Sequence, residues 1–450
     1  MNNNNNKIDW NNMTASELKR LAEEKAQEEQ KKNPIGKFKN EDGKFDYFSA
    51  SKWIIKKFNI VIIDEQLFIF DDGIYKSDIR LIKRKITERF PQILKNQMAE
   101  MIEKIWNIAE VETVAPPELI PVKNGYYNIE NDTFHEHTPN VIFTQRFNVT
   151  YDPTAKVNLI DDVFLTLANN DKELVKMLIQ IIAYMLYRKN YLEYTFLLVG
   201  RGGNGKSLYI RILEAIAGIE NTSAVPLQDL KYRFSVSKLH NKLLNAGDDI
   251  PLNPVDDGAN WKKLSTGENV LASHKHVDEF SFQNYAKLVF CANAIPRWDE
   301  NSTAVFDRLV IVPFNNRIRN TKQADKKMPS KVTTEQAKSY LFNLAIVELK
   351  EITKNDEMFM PNSVVNAMNK FQKGNNPIEQ FLDYLTETYG GINHIRASES
   401  HKIYSQWCTE EEYKKPLGLT AFNNELEVMG YKRSLRNIDG FPTRQKVWTK

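Results

Sequence analysis

The sequence predicts a multidomain α/β protein with a P-loop core, an α+β domain before the core and a winged helix after it. Residues 200–207 read Gly-Arg-Gly-Gly-Asn-Gly-Lys-Ser, which is the G-x-x-x-x-G-K-S spacing of a phosphate-binding loop. The apolar run at 194–199 predicts a strand before this loop, and residues 208–217 predict a helix after it. A chain of 450 residues is too long for one hydrophobic core, so we expect several domains.

The composition is that of a globular protein, with 42% hydrophobic and 26% charged residues. The net charge is only +3, so any affinity for nucleic acid must come from local basic patches. The two cysteines, Cys291 and Cys408, have no metal-binding spacing and predict neither a disulfide scaffold nor a zinc site. No apolar stretch reaches the roughly 20 residues of a membrane span, and residues 1–6 do not resemble a signal peptide. We therefore expect a cytoplasmic protein that does not bind membranes.

Residues 1–44 are predicted to form a charged, partly disordered arm. A capping-box pattern runs from Thr14 to Glu17, and few apolar residues follow before Lys32. A solvated helix and a partner-binding helix both fit this pattern. The scarcity of apolar positions favours the solvated helix.

Residues 45–151 are predicted to form the α+β domain, followed by a helical collar at 152–190. Asp71 and Asp72 precede Gly73, a position where acidic residues are more often turn formers than metal ligands. In the collar, apolar residues recur at helical spacing. The expected helices and strands before the collar are 49–58, 60–63, 67–70, 79–90, 93–109, 119–122 and 125–129.

The glycines of the 200–207 loop predict a backbone whose N–H groups point at phosphate oxygens with no Cβ in the way. We expect Lys206 to reach the β- and γ-phosphates and Ser207 to hold Mg²⁺, next to the positive end of the following helix. ATP and Mg²⁺ are therefore the predicted cofactors. The predicted nucleotide-binding residues are Gly200, Gly202, Gly203, Asn204, Gly205, Lys206, Ser207 and Leu208.

Two adjacent acids end a second predicted strand, within residues 242–250. We assign Asp248 to the Mg²⁺ shell, together with Ser207, and Asp249 to orienting the attacking water. Adjacent acids ordinarily mark a solvated turn. The apolar strand before them and the loop upstream favour the catalytic interpretation here.

Asn293 ends a third predicted strand, at 286–292, and is expected to contact the γ-phosphate and the water. Arg308 is placed at the start of a fourth apolar strand and is predicted to act as an arginine finger on a neighbouring subunit's nucleotide. An ion pair with Asp299 or Asp307 is the alternative for Arg308. The competing finger candidates are Arg297, Arg317 and Arg319.

Residues 270–273 and 279–282 predict a β-hairpin between the second and third strands, with His274, Lys275 and His276 at its tip. Lys275 is predicted to bind a DNA phosphate, and His276 to hydrogen-bond to phosphate or stack on a base. An exposed basic loop is the alternative. A metal site is disfavoured because adjacent strand residues point to opposite faces.

These motifs follow one another in the order found in the superfamily 3 helicases of viruses, phages and plasmids, which the chain resembles. More narrowly, it looks like the helicase half of phage and plasmid primase–helicases and like the replication initiators of phage-inducible chromosomal islands. Residues 67–75 and 120–153 are similar to the poxvirus-type region that precedes the ATPase in that group. The resemblance covers the chain from residue 45 onward.

The resemblance implies an AAA+-like ATPase at 191–374, assembled as a homohexamer with ATP sites between subunits. It also implies 3′-to-5′ translocation on single-stranded DNA, forked DNA as substrate, and a bacterial host's cytoplasm as the location. Many relatives carry two adjacent arginines where this chain has Asp307 and Arg308, so only Arg308 is carried over. Residues 1–44 are too few for a primase fold, so we do not expect primer synthesis. A separate primase and host replication proteins are the expected candidate partners.

Residues 375–450 are predicted to form a winged-helix DNA-binding domain, with helices at 378–389, 397–408 and 420–429, the last capped by Thr420. A hairpin is expected from 431–436 and 443–448. Residues 431–450 carry six basic side chains against one acid, a local charge of +5, which predicts contact with origin duplex DNA. The predicted contacts are Lys432, Arg433, Arg436, Arg444 and Lys446.

Helix 420–429 is the predicted major-groove reader, with Asn423 and Asn424 as candidate base contacts. Glu425 and Glu427 oppose this role because they repel phosphates. A winged helix that contacts only protein is the alternative.

Three functions fit the sequence. The favoured one is an ATP-dependent DNA helicase and replication initiator of a phage or mobile genetic element. The second is a nucleotide-switched DNA-binding initiator or regulator without processive unwinding. The third is a P-loop ATPase that remodels protein or packages DNA, and the hairpin at 270–282 argues against it.

Overall fold

The computed structural model describes most of the chain from Phe38 onward. The predicted arm lies almost wholly outside the described part, as do Asp249, His274, Lys275, His276 and Arg297. The described residues are 38–248, 250, 255, 258–273, 278–296, 298, 303–321, 324–411, 413, 416–438 and 440–450.

The chain divides into two compact units. The first comprises Met1–Pro116 with His135–Arg146, and the second comprises Pro117–Phe134 with Phe147–Lys450. The boundary expected near residue 151 therefore falls inside the second unit. The finer division into five segments stays a prediction.

The first unit buries one face of its helices against a three-stranded antiparallel sheet. Asp46 and Asp78 cap the first two helices by accepting hydrogen bonds from first-turn N–H groups. The shared core includes Ile54, Ile69 and Ile86. The elements are α1 (Tyr47–Phe58), β1 (Ile60–Ile63), β2 (Gln66–Asp71), β3 (Ile74–Lys76), α2 (Ile79–Arg89) and α3 (Lys95–Ile108), with sheet order β1-β2-β3.

The second unit begins with a small sheet and two collar helices. The sheet has the order β4 (Leu119–Val122), β5 (Gly125–Asn128), β6 (Thr133–His135). The collar is two helices, α4 (Asn158–Leu167) and α5 (Lys172–Leu186), rather than one continuous helical stretch.

The break between the collar helices has a local cause. Asn169 and Asn170 take left-handed backbone conformations, with φ of 53° and 64°, which asparagine tolerates better than most residues. Asp171 then caps α5 by accepting from the N–H groups of Glu173 and Leu174. The chain therefore turns at 168–171 and starts a new helix.

A five-stranded parallel sheet forms the centre of the second unit. Its order is β13-β7-β12-β9-β8, so β12 lies beside β7 and separates it from β9. Every recorded pairing in this sheet is parallel. The strands are β7 (Thr195–Val199), β8 (Thr222–Ser223), β9 (Leu244–Gly247), β12 (Lys287–Ala292) and β13 (Leu309–Pro313).

Helices and one hairpin surround this sheet. The strand before the 200–207 loop and the helix after it are confirmed, and the hairpin pairs Asn269 with Gln283 through Ala272 with Phe280. Arg308 ends a helix rather than starting a strand, because the strand begins one residue later, at Leu309. The elements are α6 (Lys206–Ala217), α7 (Arg233–Val236), α8 (Ala259–Thr266), β10 (Asn269–Ala272), β11 (Phe280–Gln283), α9 (Thr303–Arg308), α10 (Met328–Val332), α11 (Glu335–Asn355) and α12 (Asn362–Asn375).

The C-terminal part contains three helices and a two-stranded hairpin, as the sequence predicts. Thr420 is not the cap of the last helix. That helix begins one residue earlier, at Leu419, with Gly418 in the N-cap position. Trp407 and Trp448 lie in the core of this part. The elements are α13 (Pro377–Tyr389), α14 (Ala397–Glu410), α15 (Leu419–Val428), β14 (Lys432–Arg436) and β15 (Gln445–Thr449).

Among the described residues, no helix combines the length and the apolar character needed to cross a bilayer.

Candidate functional site

The 200–207 loop leaves β7 at the carboxyl edge of the parallel sheet. The N–H of Gly200 donates to the carbonyl oxygen of Ala292 at 3.2 Å, which ties the start of the loop to the end of β12. A Cβ at Gly200 would collide with the carbonyl oxygen of Phe314. Only glycine therefore lets the loop run this close to the neighbouring backbone.

The loop ends in a turn that aims the N-terminus of α6 at the loop's interior. Gly205 has φ of 88°, a left-handed conformation that favours glycine, and it precedes the first helical residue, Lys206. The N-cap residue is a glycine, so it supplies no side-chain acceptor to the first-turn N–H groups of α6. The Lys206 side chain is buried, and its Nζ donates to the carbonyl oxygen of Gly200.

These features fit a bound triphosphate. Uncapped helix N–H groups and a buried ammonium provide donors and positive charge for an anion. Asn204 braces the loop by donating from Nδ2 to the carbonyl oxygen of Phe314 at 2.7 Å. Ser207 is exposed in the first turn of α6, where a hydroxyl can reach a metal ion beside the phosphates.

A cavity of about 1150 Å³ opens beside the loop. Gly200, Gly202 and Asn204 line it, together with Asn293, which directly follows β12. The structure therefore brings the predicted Asn293 next to the predicted loop. Lys206 and Asp248 are not among the residues that line this cavity.

Helix α12 forms the opposite wall of the cavity. Its polar residues Ser363, Asn366 and Lys370 recur at helical spacing and line the cavity. Sequence reasoning missed these residues because about 160 positions separate them from the loop. In the sequence, the polar stripe along this amphipathic helix is the pattern that could have indicated these residues.

Asp248 follows β9 at the same carboxyl edge as the loop, and its side chain is exposed. Strand β12 lies between β9 and β7, so two inter-strand steps of about 4.8 Å separate the two strand ends. Burial raises the pKa of Glu214 on α6, and the charge of Asp248 raises it further, against the opposing effect of Arg211. A cation held by Asp248 would weaken that repulsion. Asp249 lies outside the described residues.

Arg308 lies at the opposite edge of the sheet from the loop. It immediately precedes β13, and its Nη2 is 2.7 Å from Oε2 of Glu193, which lies two residues before β7. Neither Asp299 nor Asp307 is the partner in this recorded pair.

The other arginine-finger candidates lie in different positions from Arg308. Arg317 lines the cavity beside its own loop. The backbone N–H groups of Ile318 and Arg319 donate to the carbonyl oxygen of Gly203 at 2.9 and 3.0 Å. Both arginines therefore sit next to the loop of the same chain. Arg297 lies outside the described residues.

A buried lysine, Lys287, begins β12 and forms several hydrogen bonds at the amino edge of the sheet. Nζ of Lys287 donates to the carbonyl oxygens of Tyr187 and Lys189 and to Oδ1 of Asn190, at 2.8, 2.9 and 2.7 Å. Burial lowers the pKa of Lys287 well below its usual value. Asn190 also donates to the carbonyl oxygens of Leu264 and Asn284, so the network joins the collar's end to the base of the hairpin.

The described part of the β10–β11 hairpin has an aromatic and basic neighbour. Helix α7 begins at Arg233, which pairs with Glu279 just before β11. Tyr232 and Phe234 on either side are 53% and 58% exposed, an unusual exposure for aromatic rings. Sequence reasoning missed them, although aromatic residues interleaved with Lys231 and Arg233 are a recognisable signal. The tip, with Lys275 and His276, lies outside the described residues.

The five predicted basic contacts of the C-terminal part are all exposed but do not share one face. Lys432 and Arg436 point to one side of β14, while Arg433 points to the other, where its partner in the register is Trp448. The Arg433 guanidinium lies 4.6 Å from the Trp448 ring centroid. Lys446 shares the Arg433 face, and Arg444 precedes β15.

Helix α15 presents a mixed surface. Asn424 is exposed, whereas Oδ1 of Asn423 is buried without a hydrogen-bond partner. Glu425 and Glu427 are exposed, and Val428 is 83% exposed. Of the two candidate base contacts, Asn424 is therefore the more exposed, and Asn423 is half-buried.

Three protein families match separate parts of the chain. D5 N terminal like matches residues 6–166, a family of unknown function (DUF5906) matches 198–308, and Poxvirus D5 protein-like matches 373–446. A curated relative, Putative helicase 121R of Invertebrate iridescent virus 3, is 24% identical over 315 residues. That alignment covers 65% of this chain, and the chain spans only about a third, 32%, of the viral protein.

Solved structures of the NrS-1 C-terminal region share the fold. An apo A form has a TM-score of 0.53 at 15% identity, covering 90% of this chain and 100% of the other. A second apo structure, of residues 305–718, has the same TM-score at 14% identity and covers 99% of that chain. The D5-type family models therefore match both ends of the chain, and the curated relative carries the name helicase.

Proposed function

We propose that the chain is an ATP-dependent DNA helicase and replication initiator of a phage or another mobile genetic element. The observation that carries this proposal is the convergence of the 200–207 loop and Asn293 on one cavity. That cavity lies at the carboxyl edge of a parallel sheet, where ligands of such sheets bind. The D5 matches and the helicase-named viral relative support DNA as the molecule along which ATP hydrolysis drives movement.

In this proposal the loop and the first turn of α6 bind the phosphates of ATP, with Lys206 on the β- and γ-phosphates. Ser207 and Asp248 would hold Mg²⁺, which neutralises charge on the phosphate oxygens. Asn293 and Asp249 orient the attacking water. The Gly200 close approach and the uncapped α6 N-terminus support the phosphate assignment.

The position of Arg308 in the sheet supports an oligomer whose ATP sites lie between subunits. Strand β7 has five residues, so about 16 Å of strand separates the sheet edge near Arg308 from the loop of the same chain. An arginine finger at that edge can reach a nucleotide only on a neighbouring copy. We therefore propose a homohexameric ring in the cytoplasm of a bacterial host, with Arg308 completing each neighbour's site.

The β10–β11 hairpin is the proposed DNA-coupling element. Lys275 and His276 at its tip would bind a strand's phosphates, and translocation would run 3′ to 5′ on single-stranded DNA. The exposed ring of Phe234 beside the hairpin supports this role because unpaired bases stack on such rings. Tyr232 is also exposed, with Lys231 over its ring. Forked DNA is the proposed substrate, and a separate primase or host replication proteins are proposed partners.

The C-terminal part is proposed to be a winged helix that binds origin duplex DNA. Its five exposed basic residues support phosphate contact from both sides of the wing. The acidic residues of α15 favour a limited role for that helix in base reading.

Strand displacement on a forked duplex with ATP tests the function. Wild-type protein should unwind the fork, and Lys206→Ala should lose both unwinding and ATP hydrolysis. Lys275→Ala should lose unwinding while keeping hydrolysis, since that side chain is proposed to contact only DNA. ATP hydrolysis that persists in Lys206→Ala would refute the ATPase assignment.

A nucleotide-switched initiator without processive unwinding is the second candidate. The charged wing favours it because tight duplex binding needs no motor. Wild-type protein would then bind origin duplex tightly with ATP but displace no strand from the fork.

A further inference from the structure

The first unit has a concentrated positive charge that the proposed function does not use. Helix α1 carries three lysines and no acid, and α2 carries five basic residues and one acid, Glu88. Eight bases against one acid give the two helices a net charge of +7, whereas the whole chain has +3. Such a local excess is the electrostatic footprint of a polyanion-binding surface.

Side chains near the C-terminal ends of the two helices touch. The Arg89 guanidinium on α2 lies 4.7 Å from the ring centroid of Trp53 on α1. Nζ of Lys85 lies 5.9 Å from the ring centroid of Phe58, at the end of α1. We call the exposed basic residues of these two helices the α1–α2 basic face: Lys52, Lys56, Lys57, Arg80, Lys83 and Arg84.

The charge of this face is only slightly neutralised. Among the described residues, the recorded ion pairs on the two helices join Glu88 to Arg84 at 3.8 Å and to Lys85 at 3.6 Å. Several cations are instead held over aromatic rings, as Lys52 is over Phe48 at 4.4 Å. A ring orients a cation without cancelling its charge, so the positive potential remains available to a ligand.

We propose that the α1–α2 basic face binds the phosphate backbone of duplex DNA without reading its sequence. The exposed side chains of the face are lysines and arginines, which bind phosphates, and the outward surface of neither helix offers an asparagine or glutamine for base edges. Pairs four residues apart, such as Lys52 with Lys56 and Arg80 with Arg84, form rows about 6 Å in spacing along each helix.

Duplex DNA fits this face better than a single strand. Unpaired bases need aromatic rings with an open face on which to stack. Here the rings of Phe48, Trp53 and Phe58 each have a basic side chain of the same unit over them. Phe48 keeps an exposed ring, whereas Trp53 and Phe58 are half-buried. The face therefore offers more charge than open ring surface, which suits a double-stranded backbone.

Salt-dependent binding of a labelled random-sequence duplex by the full chain, without nucleotide, tests this inference. The triple variant Lys56→Ala, Lys57→Ala, Lys83→Ala should bind about tenfold or more weakly at 0.1 M salt, because three phosphate contacts are lost. The slope of log K against log salt should fall by roughly 2 to 3, at about 0.9 per lost contact. The assay measures neither ATP hydrolysis nor strand displacement, so its result is independent of the proposed helicase function.

Two control variants keep the test specific. Replacing Lys172, Lys326 and Lys354 by alanine removes the same charge from exposed positions of the second unit and should change duplex affinity less than twofold. Replacing Lys56, Lys57 and Lys83 by arginine keeps the charge and should retain both affinity and slope.

Two outcomes would overturn the inference. The first is equal duplex binding by the face variant and the control variant. The second is an equal loss of affinity for a labelled oligo-dT strand, which would refute the assignment to duplex DNA.

Discussion

Nη2 of Arg308 lies 2.7 Å from Oε2 of Glu193, at the amino edge of the five-stranded sheet. The 200–207 loop leaves the same sheet at its carboxyl edge, about 16 Å away along β7. Within one chain, Arg308 and the loop therefore lie at opposite edges of the sheet. The Arg308 side chain is 21% exposed, and the ion pair with Glu193 orients its guanidinium.

The first prediction concerns this arginine. Arg308→Ala should lower the ATP hydrolysis rate by a factor on the order of 10³ or more while nucleotide affinity stays nearly unchanged, because the finger acts on the transition state. Mixing Arg308→Ala with Lys206→Ala should restore part of the activity. Some interfaces would then combine an intact loop from one subunit with Arg308 from the other.

Glu193→Gln is the matched control for that prediction. It releases Arg308 from a partly exposed ion pair, so stability should change by no more than about 1 kcal/mol and hydrolysis should be retained. Mixtures that recover no activity would place Arg308 outside the neighbour's site. Steady-state phosphate release measures the hydrolysis rates, titration of a nucleotide analogue measures affinity, and chemical denaturation measures stability.

The second prediction separates two glycines of one loop. Gly200→Ala places a Cβ against the carbonyl oxygen of Phe314, so the loop must move. We expect unfolding to become easier by about 1–3 kcal/mol and binding of a fluorescent ATP analogue to weaken at least tenfold. Gly202→Ala meets no atom within 4 Å and has no left-handed φ, so its stability should match the wild type. Equal stability of the two variants would contradict the close-approach account of Gly200.

Local features were the most predictable from the sequence. The 200–207 loop, its strand and its helix depend on neighbouring residues, so spacing alone located them. The same holds for the hairpin and the three C-terminal helices. The collar break was missed because apolar spacing continues across Asn169 and Asn170, whose left-handed backbone interrupts the helix.

Contacts between distant residues were not predictable. Arg308 pairs with Glu193, which is 115 positions away along the chain. Lys370 joins the cavity from α12, far along the chain from the loop. Parallel sheets bring such residues together through their strand order, which spacing in one sequence does not reveal.

The third prediction concerns the rings beside the hairpin. Phe234→Ala removes an exposed stacking surface next to β10, so strand displacement should fall at least tenfold while DNA-free ATP hydrolysis stays within twofold. Phe359→Ala, which removes another partly exposed ring of the same unit, should affect neither property. Parallel loss of hydrolysis and displacement in Phe234→Ala would instead indicate a structural role.

The fourth prediction concerns the buried lysine. Lys287→Met leaves the carbonyl oxygens of Tyr187 and Lys189 and Oδ1 of Asn190 without their donor. We expect the free energy of unfolding to fall by about 2–4 kcal/mol in chemical denaturation near neutral pH. Lys263→Met, at an exposed position on α8, should change it by less than about 0.5 kcal/mol.

The pH dependence of the same pair gives a second readout. Burial lowers the folded pKa of Lys287 below its unfolded value of 10.5, so the unfolded chain binds this proton first as pH falls. Wild-type stability should therefore decrease as pH drops from about 10.5 toward the folded pKa, by up to about 1.4 kcal/mol per pH unit. Lys287→Met has no amine to titrate at this position. The difference in free energy of unfolding between the wild-type protein and the variant should therefore increase toward high pH. A difference in free energy of unfolding that decreases as pH rises would show instead that the buried amine stays charged.

The most direct test of ATP-driven DNA unwinding uses two partial duplexes that differ only in whether the single-stranded tail is 3′ or 5′. With ATP, the wild-type protein should displace the strand when it loads on a 3′ tail and leave the 5′-tailed duplex intact. Lys206→Ala should displace neither, because its loop no longer holds the phosphates. Displacement by Lys206→Ala, or failure of the wild-type protein on both duplexes, would contradict the account.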